Sequence, residues 1–451
     1  MQLPESLLNS LAGVEGFDHA AFEAVHQSGE QVVSIRLNPF KNASSLKESY
    51  LAEIPWCKQG YYLTKRPSFT FDPVFHAGGY YVQEASSMFL WHVLEQHAGP
   101  ATANQKVLDL CAAPGGKSTL LSAFFSDGLV VSNEVIKSRA SVLVENMTKW
   151  GQPNVIVTNN DPDHFSKLQG YFDVIVIDAP CSGSGLFRKD PSAIEEWSEQ
   201  NVLHCSQRQE RILSAILPCL KEDGLLIYST CSYSVAEDEQ IADWLVADME
   251  MQPLDLTVPP EWNIVRTMAR KSKAPGFRFY PNLLKGEGFF IAAFKKSMEA
   301  VPLKLKETVL AIPSRSEMDC LTSFYPVPDG FTCFIQNEAI RLFPKAYFSS
   351  LRQLAAVLYI KKAGIEIGTP KGKDLIPSHE LAVSVLGKEA LPALEVSIDQ
   401  ALQYLRRKEL QLEAPKGWCL LKYQGLCLGW VKVLPNRINN YYPAEWRILK
   451  E

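Results

Sequence analysis

The 451-residue chain lacks the marks of several protein classes. No run approaches the roughly 18 consecutive apolar residues of a membrane-spanning helix. The opening MQLPESLLNS has neither the basic start nor the apolar centre of a secretory signal, so a cytoplasmic protein is expected. Ten cysteines are present but none forms a CxxC pair, which disfavours a zinc ribbon, a thioredoxin-like site and a disulfide framework. No metal is expected. Internal repeats and low-complexity tracts are absent. With 46% hydrophobic and 21% charged residues the composition is that of an ordinary folded protein, and at roughly 150 residues per domain the length predicts two or three domains.

An overall excess of positive charge is also missing: 45 Lys+Arg stand against 50 Asp+Glu, a net charge of −5. The distribution is uneven. Residues 301–451 carry 20 basic and 15 acidic side chains. A second basic cluster runs from Arg266 to Lys296 and includes Arg270, Lys271, Lys273, Arg278, Lys285 and Lys295 against the single acid Glu287. Such clusters can meet phosphate, or can simply be solvated surface.

From Lys106 the chain alternates short apolar runs with helical stretches: KVLDL, GLVVSN, NVIVTN, FDVIVID and GLLIYST, closed by GFFIAAF at 288–294. Continuous apolar runs of this length between helices predict buried parallel strands. Chemistry-bearing residues recur at the carboxyl ends of these strands, where open α/β sheets bind nucleotides. The first run enters DLCAAPGGKST, a Gly-containing loop followed by a helix, whose backbone amides can face a ligand. This loop misses the GxGxxG fingerprint, and it misses the Walker pattern because Cys111 stands where the first Gly should be.

Glu134 follows the second strand, where a carboxylate can accept ribose hydroxyls, although an isolated Glu there is more often a surface residue. Asp161 follows the third, where it can meet an adenine amino group or serve a turn. The fourth strand ends in DAPCSGSG, which aims Asp178 and Cys181 into the crevice, and the fifth ends in STCS with Cys231. Singly, each cysteine is more often a small core residue. Two at neighbouring strand ends without metal spacing suggest nucleophile chemistry.

Together, DLCAAPGGKS, DAPCSGSG and STCS resemble the Sun (Fmu) family of S-adenosylmethionine-dependent RNA cytosine-C5 methyltransferases. RLNPFK at 36–41, YYVQEASSM at 80–88 and FRFYPNLLKGEGFFIAAF at 277–294 extend the resemblance over about 260 residues. Within the family the chain is most similar to the bacterial RsmF-like small-subunit rRNA enzymes, because GWVKVLPNRINNYYPAEWRI looks like their PUA-like RNA-binding domain. Asn282 stands where those relatives commonly show a His.

The resemblance implies an α/β fold: a Rossmann-like methyltransferase domain with a mostly parallel seven-stranded sheet at 101–297, and an α+β RNA-binding appendage at 1–100. An intermediate module at 300–388 and a small PUA-like β-barrel at 390–451 would follow. It implies that Cys111, Ala112, Ala113, Pro114, Gly115, Gly116 and Lys117 wrap the methionine part of S-adenosylmethionine, that Glu134 holds its ribose and that Asp161 contacts its adenine. Asp178 would lie between cofactor and base. Cys231 would be the nucleophile and Cys181 would assist release, although the PCS sequence at 180–182 taken alone suggests Cys181 as nucleophile, as in DNA cytosine methyltransferases.

Arg36, Arg278, Lys295 and Lys296 are expected to contact RNA phosphates. Trp418, Trp430, Tyr441, Tyr442 and Trp446 could stack on bases or fill a small barrel. The expected partner is RNA, 16S rRNA of the small ribosomal subunit first, bound by a monomer. The same chemistry on tRNA or at several sites, and an inactive RNA-binding assembly factor, remain the alternatives.

Overall fold

The computed structural model describes residues 2–43, 50–99, 102–298 and 303–450. The expected boundaries at 100–101 and at 300 fall outside the described residues. Strands β1 (Ser34–Leu37), β2 (Tyr50–Ile54), β3 (Cys57–Leu63) and β4 (Tyr80–Val82) make an antiparallel N-terminal sheet in the order β2-β3-β1-β4.

Each apolar run after Lys106 becomes a strand: β5 (Lys106–Asp109), β6 (Leu129–Asn133), β7 (Val155–Thr158), β8 (Phe172–Asp178) and β9 (Leu220–Thr230). Their pairings, β5 with β6 and β8, β6 with β7, and β8 with β9, are all parallel. Helices Gly116–Phe124 and Lys137–Trp150 supply the crossovers on one side of β5, and Glu199–Ile216 leads from β8 to β9. Because the chain moves from β5 to β6 and β7, then returns to the other side of β5 for β8 and β9, the strand order reverses between β5 and β8. A crevice opens at such a reversal, on the carboxyl side of the strands.

The sheet is wider than the seven strands expected, and the parallel pairings are not in the majority. β10 (Met251–Leu254), β11 (Val265–Met268), β12 (Pro275–Phe279) and β13 (Phe289–Lys296) extend it antiparallel beyond β9. Strands β14 (Phe331–Gln336) and β15 (Ala339–Pro344) pair with each other, and after them β16 (Ile360–Ala363) pairs antiparallel with β7. The result is a ten-stranded sheet with an outlying chain segment on its far edge. Such a short strand has no sequence period strong enough to announce its partner, which lies two hundred residues earlier.

β17 (Ile365–Lys371) and β18 (Asp374–Pro377) complete a four-stranded sheet with β14 and β15. The last sheet orders β19 (Ala393–Glu395), β20 (Gly417–Tyr423), β21 (Leu426–Leu434) and β22 (Arg437–Asn440), with the expected hairpins between β20, β21 and β22. Its Leu428 and Val431, with Tyr404 of the helix Ile398–Leu405, share one apolar cluster with Ile35, Val74 and Tyr80, so the N- and C-terminal sheets pack together. Tyr442 is buried there and Trp430 in a separate cluster with Ile340 and Leu342, while Trp418 and Tyr441 meet edge to face at 4.4 Å nearer the surface. Among the described residues no helix is long and apolar enough to cross a membrane, and no cluster of side chains could hold a metal ion.

Candidate active site

The crevice is a cleft of about 960 Å³ lined by the ends of all five parallel strands, including Cys111 to Pro114, Gly116, Lys117, Glu134, Asp161, Asp178, Cys181 and Cys231. At the end of β5 the loop is held by its neighbours. Ala112 N donates to Asn133 O (2.8 Å), Arg139 Nη2 to Ala113 O (2.7 Å) and Asn146 Nδ2 to Pro114 O (2.8 Å). Gly115 carries φ +118°, which a side chain would strain, and the helix Gly116–Phe124 starts from it. Asp109 is fully buried beneath the loop, where it accepts from Ser118 Oγ at 2.7 Å, and burial pushes its carboxyl up to about 7. The Cys111 thiol is also pushed up, chiefly by burial, which disfavours its thiolate.

Glu134 is buried and accepts from Ile136 N at 2.9 Å, with Arg139 Nη1 3.8 Å away. Asp161 accepts from Asp163 N at 3.1 Å and keeps an edge on the cleft. Asp178 joins the loop after β5 to the strand beside it. Lys117 Nζ pairs with its Oδ2 at 2.8 Å, and Ser229 Oγ donates to its Oδ1 at 2.9 Å. The same ammonium lies 5.0 Å from the centre of the Phe289 ring.

The two cysteines meet. Cys181 Sγ and Cys231 Sγ are 3.0 Å apart, both half-buried and both free thiols. The contact with Cys231, burial, and the nearby Glu237 and Asp178 carboxylates together push the Cys181 thiol well above its ordinary value. The loops are held face to face by Gly185, whose N donates to Cys231 O at 2.8 Å, and by Ser184 Oγ, which accepts from Tyr233 N at 2.9 Å. Backbone contact of this kind demands glycine. A Cβ on Gly185 would collide with Gly288 O, and one on Gly288 would collide with the Tyr233 ring. That close approach explains the second glycine of SGSG.

Three of the four cations expected at RNA lie elsewhere. Arg36 is buried, its guanidinium donating to Gln83 Oε1 (2.8 Å) and Thr119 Oγ1 (2.5 Å) over the Trp150 ring. Arg278 is buried too, bonded to Glu239 Oε1 (2.7 Å) and Tyr233 O (2.8 Å) and ion-paired with Asp238 Oδ2 (3.0 Å). Lys296 donates to Leu217 O (3.0 Å) and Leu220 O (2.8 Å). These are corrections: each charge is fully engaged inside the protein and cannot meet a phosphate. Lys295 is exposed but paired with Asp223 at 2.9 Å. Replacing Arg278 by Met should cost about 3–5 kcal/mol, because Asp238 and Glu239 would be left buried without a counter-charge. Denaturant unfolding of the variant checks this, and a loss under about 1 kcal/mol would contradict the assignment.

Sequence reasoning missed Arg208 and Arg211. Both are exposed, both line the cleft, and neither has a hydrogen bond or ion pair among the described residues. Their spacing of three on the helix Glu199–Ile216 was the available signal, since it puts both on one face. Sequence reasoning also missed Glu237, which is buried between the two cysteine loops.

Comparison with known proteins places the chain. The family described as "16S rRNA methyltransferase RsmB/F" matches residues 99–295. The "N-terminal domain of 16S rRNA methyltransferase RsmF" matches 3–85, and the "Methyltransferase RsmF PUA domain" matches 391–448. A protein of Psychromonas ingrahamii named "Ribosomal RNA small subunit methyltransferase F" is 32% identical over 416 residues, covering 88% of this chain and 85% of the relative. The chain belongs to the RsmF family of methyltransferases.

A second RsmF relative, from Aliivibrio fischeri, is 29% identical and covers 91% of this chain and 90% of its own. Among solved structures, a methyltransferase homologue from Pyrococcus horikoshii is 28% identical with a TM-score of 0.52, covering 65% of this chain and 100% of its own. NSun6 from Pyrococcus horikoshii with SFG is 18% identical with a TM-score of 0.54, covering 66% of this chain and 99% of its own, and shares the fold. RsmF-family membership makes S-adenosylmethionine the cofactor, and the donor set fits it. Asp109 Oδ1 is a buried acceptor without a hydrogen-bond partner beneath the loop, Glu134 and Asp161 present carboxylates to a diol and an amine, and the helix start at Gly116 offers amides to a carboxylate.

Proposed function

We propose that the chain methylates C5 of a cytosine in small-subunit ribosomal RNA, with Cys231 as nucleophile and Cys181 as the group that helps release the product. The observation that carries this reading is the pair of touching thiols in one cleft with Asp178 and the loop Cys111–Lys117. When bound, S-adenosylmethionine supplies an electrophilic methyl group. C5 of cytosine is a weak nucleophile. The Cys231 thiolate adds to C6, forming an S–C6 bond as the C5=C6 π bond breaks and its electron pair passes to C5. Asp178, held by Lys117 and Ser229, would share a proton with N3 and so limit charge build-up on the ring. After methylation the C5 proton leaves, the S–C6 bond breaks and Cys231 departs as thiolate, with Cys181 alongside to assist. The base must leave its stack to reach both sulfurs. The names and high coverage of the RsmF relatives support ribosomal RNA as substrate.

The test is incubation with methyl-labelled S-adenosylmethionine and, separately, unmodified 30S subunits, 16S RNA, 23S RNA and tRNA. Label as 5-methylcytosine in 30S or 16S is expected. Label in tRNA alone would move the substrate, and none in any pool would leave an RNA-binding assembly factor.

The proposal assigns RNA holding to segments 1–100, 300–388 and 390–451, and the working form is a cytoplasmic monomer in which reducing conditions keep the paired thiols free. At the cleft itself, Arg208 and Arg211 take the phosphate role that burial denies to Arg36, Arg278 and Lys296. Asp190 and Glu196 also line the cleft and would repel a phosphate, confining it to the arginine side. Replacing both arginines by Gln should raise KM for RNA and flatten the plot of log affinity against log salt by about 0.7–0.9 per lost phosphate contact. An unchanged slope would remove them from the interface.

A further inference from the structure

Each working cysteine is followed by a serine, Cys181 by Ser182 and Cys231 by Ser232, and both serines bond the same carboxylate. Glu237 Oε2 accepts from Ser182 Oγ at 2.5 Å and from Ser232 Oγ at 2.6 Å. Its Oε1 accepts from Ser182 N at 2.8 Å and from Gln209 Nε2 at 3.2 Å. Gln209 also donates to Pro180 O at 3.0 Å, and Tyr228 Oη donates to the Glu237 carbonyl at 2.7 Å. The carboxylate therefore sits where the loop after β8, the loop after β9 and the helix Glu199–Ile216 converge. It is fully buried, and among the described residues no cation lies within ion-pair distance of it. A buried anion held only by neutral donors is costly, and such a group repays explanation by function.

We propose that Glu237 is a positioning residue that clamps the two Cys–Ser steps in register and, as a buried anion behind the Cys181 loop, keeps Cys181 protonated so that Cys231 is the thiol that attacks. The clamp is not symmetric: Glu237 takes two hydrogen bonds from the Cys181 loop and one from the Cys231 loop, which ties the carboxylate more closely to the Cys181 side. The Cys181 thiol faces Cys231 on the loop after β9, Asp178 at the end of β8 with Lys117 bonded to it, and Glu237. Of these only Lys117 is a cation, and it is neutralised by Asp178. The direction of the Cys181 shift, upward with Glu237 among its causes, agrees. Burial also raises the Glu237 carboxyl itself, so the asymmetry should fade as pH falls toward its titration.

This inference rests on Cys181 and Cys231 as the working thiols, but its test needs neither RNA nor turnover. The purified full chain is treated with iodoacetamide across pH 6–9, and the alkylation of each cysteine is followed by peptide mass spectrometry. Cys231 should react at least about tenfold faster than Cys181, since the thiolate is the form that is alkylated. In Glu237→Gln the ratio should fall to about threefold or less. In Glu237→Asp, which keeps the charge, it should stay near the wild-type value. A ratio unchanged in Glu237→Gln overturns the proposal, as does a parallel rise of both rates, the mark of a loosened fold alone. If the ratio behaves as expected but neither Cys231→Ala nor Cys181→Ala alters RNA methylation, the methyltransferase chemistry fails and the role of Glu237 in thiol selection stands.

Discussion

Replacing Cys231 by Ala is expected to lower single-turnover methylation of the RNA substrate by at least about 10³-fold, roughly 4 kcal/mol of transition-state stabilisation. No other described group is placed to substitute for the lost S–C6 bond except Cys181. That thiol sits 3.0 Å away in the wild type, and once Cys231 is gone burial and the Glu237 and Asp178 carboxylates still favour its protonated form. Binding of S-adenosylmethionine should survive, because Cys231 lies at the end of β9 while the cofactor loop leaves β5, two strands away in the sheet. A variant that keeps more than a tenth of the wild-type rate would transfer the nucleophile role to Cys181, as the Pro-Cys order of the fourth strand loop would have it.

Replacing Cys181 by Ala should do the reverse. Attack remains possible, but release is impaired, so a covalent protein–RNA species accumulates. It should resist denaturing electrophoresis and should form in near stoichiometric amount, while multiple turnover falls steeply. The species must also require Cys231, so the double variant should show none. Clean turnover by Cys181→Ala without adduct would separate the short sulfur contact from catalysis. These two variants therefore report on opposite halves of one cycle, and only the assignment proposed above gives loss in one and trapping in the other.

The cleft was largely legible in the chain because its chemistry recurs at a fixed structural position. Cys111 to Lys117, Glu134, Asp161, Asp178, Cys181 and Cys231 each follow an apolar run, and a parallel sheet carries all such positions to one edge. The charged contacts were not legible. Arg278 is answered by Asp238 and Glu239 some forty residues earlier, Arg36 by Thr119 and Lys296 by the carbonyls of Leu217 and Leu220. A local count of basic residues cannot register partners so distant. The acidic triplet at 237–239 escaped in the same way: its three carboxylates are buried, two against Arg278 and one against the serines of the cysteine loops. The sheet width escaped for a topological reason, since β16 is four residues long and its partner lies far upstream.

That strand carries a further consequence. Beside β16, Tyr359 O accepts from Asn159 N at 3.2 Å and from Asn160 Nδ2 at 3.0 Å, and Tyr359 N donates to Asn160 Oδ1 at 3.0 Å. Asn160 adjoins Asp161, at the end of the cleft assigned to adenine. A chain cut near residue 300 would strip this cover and leave β7 as an open ladder, an invitation to pair with another molecule. The grip on Asn160 thus ties the C-terminal third of the chain to the rim of the cleft, and the segment that closes the edge of the sheet also braces the turn that carries Asp161.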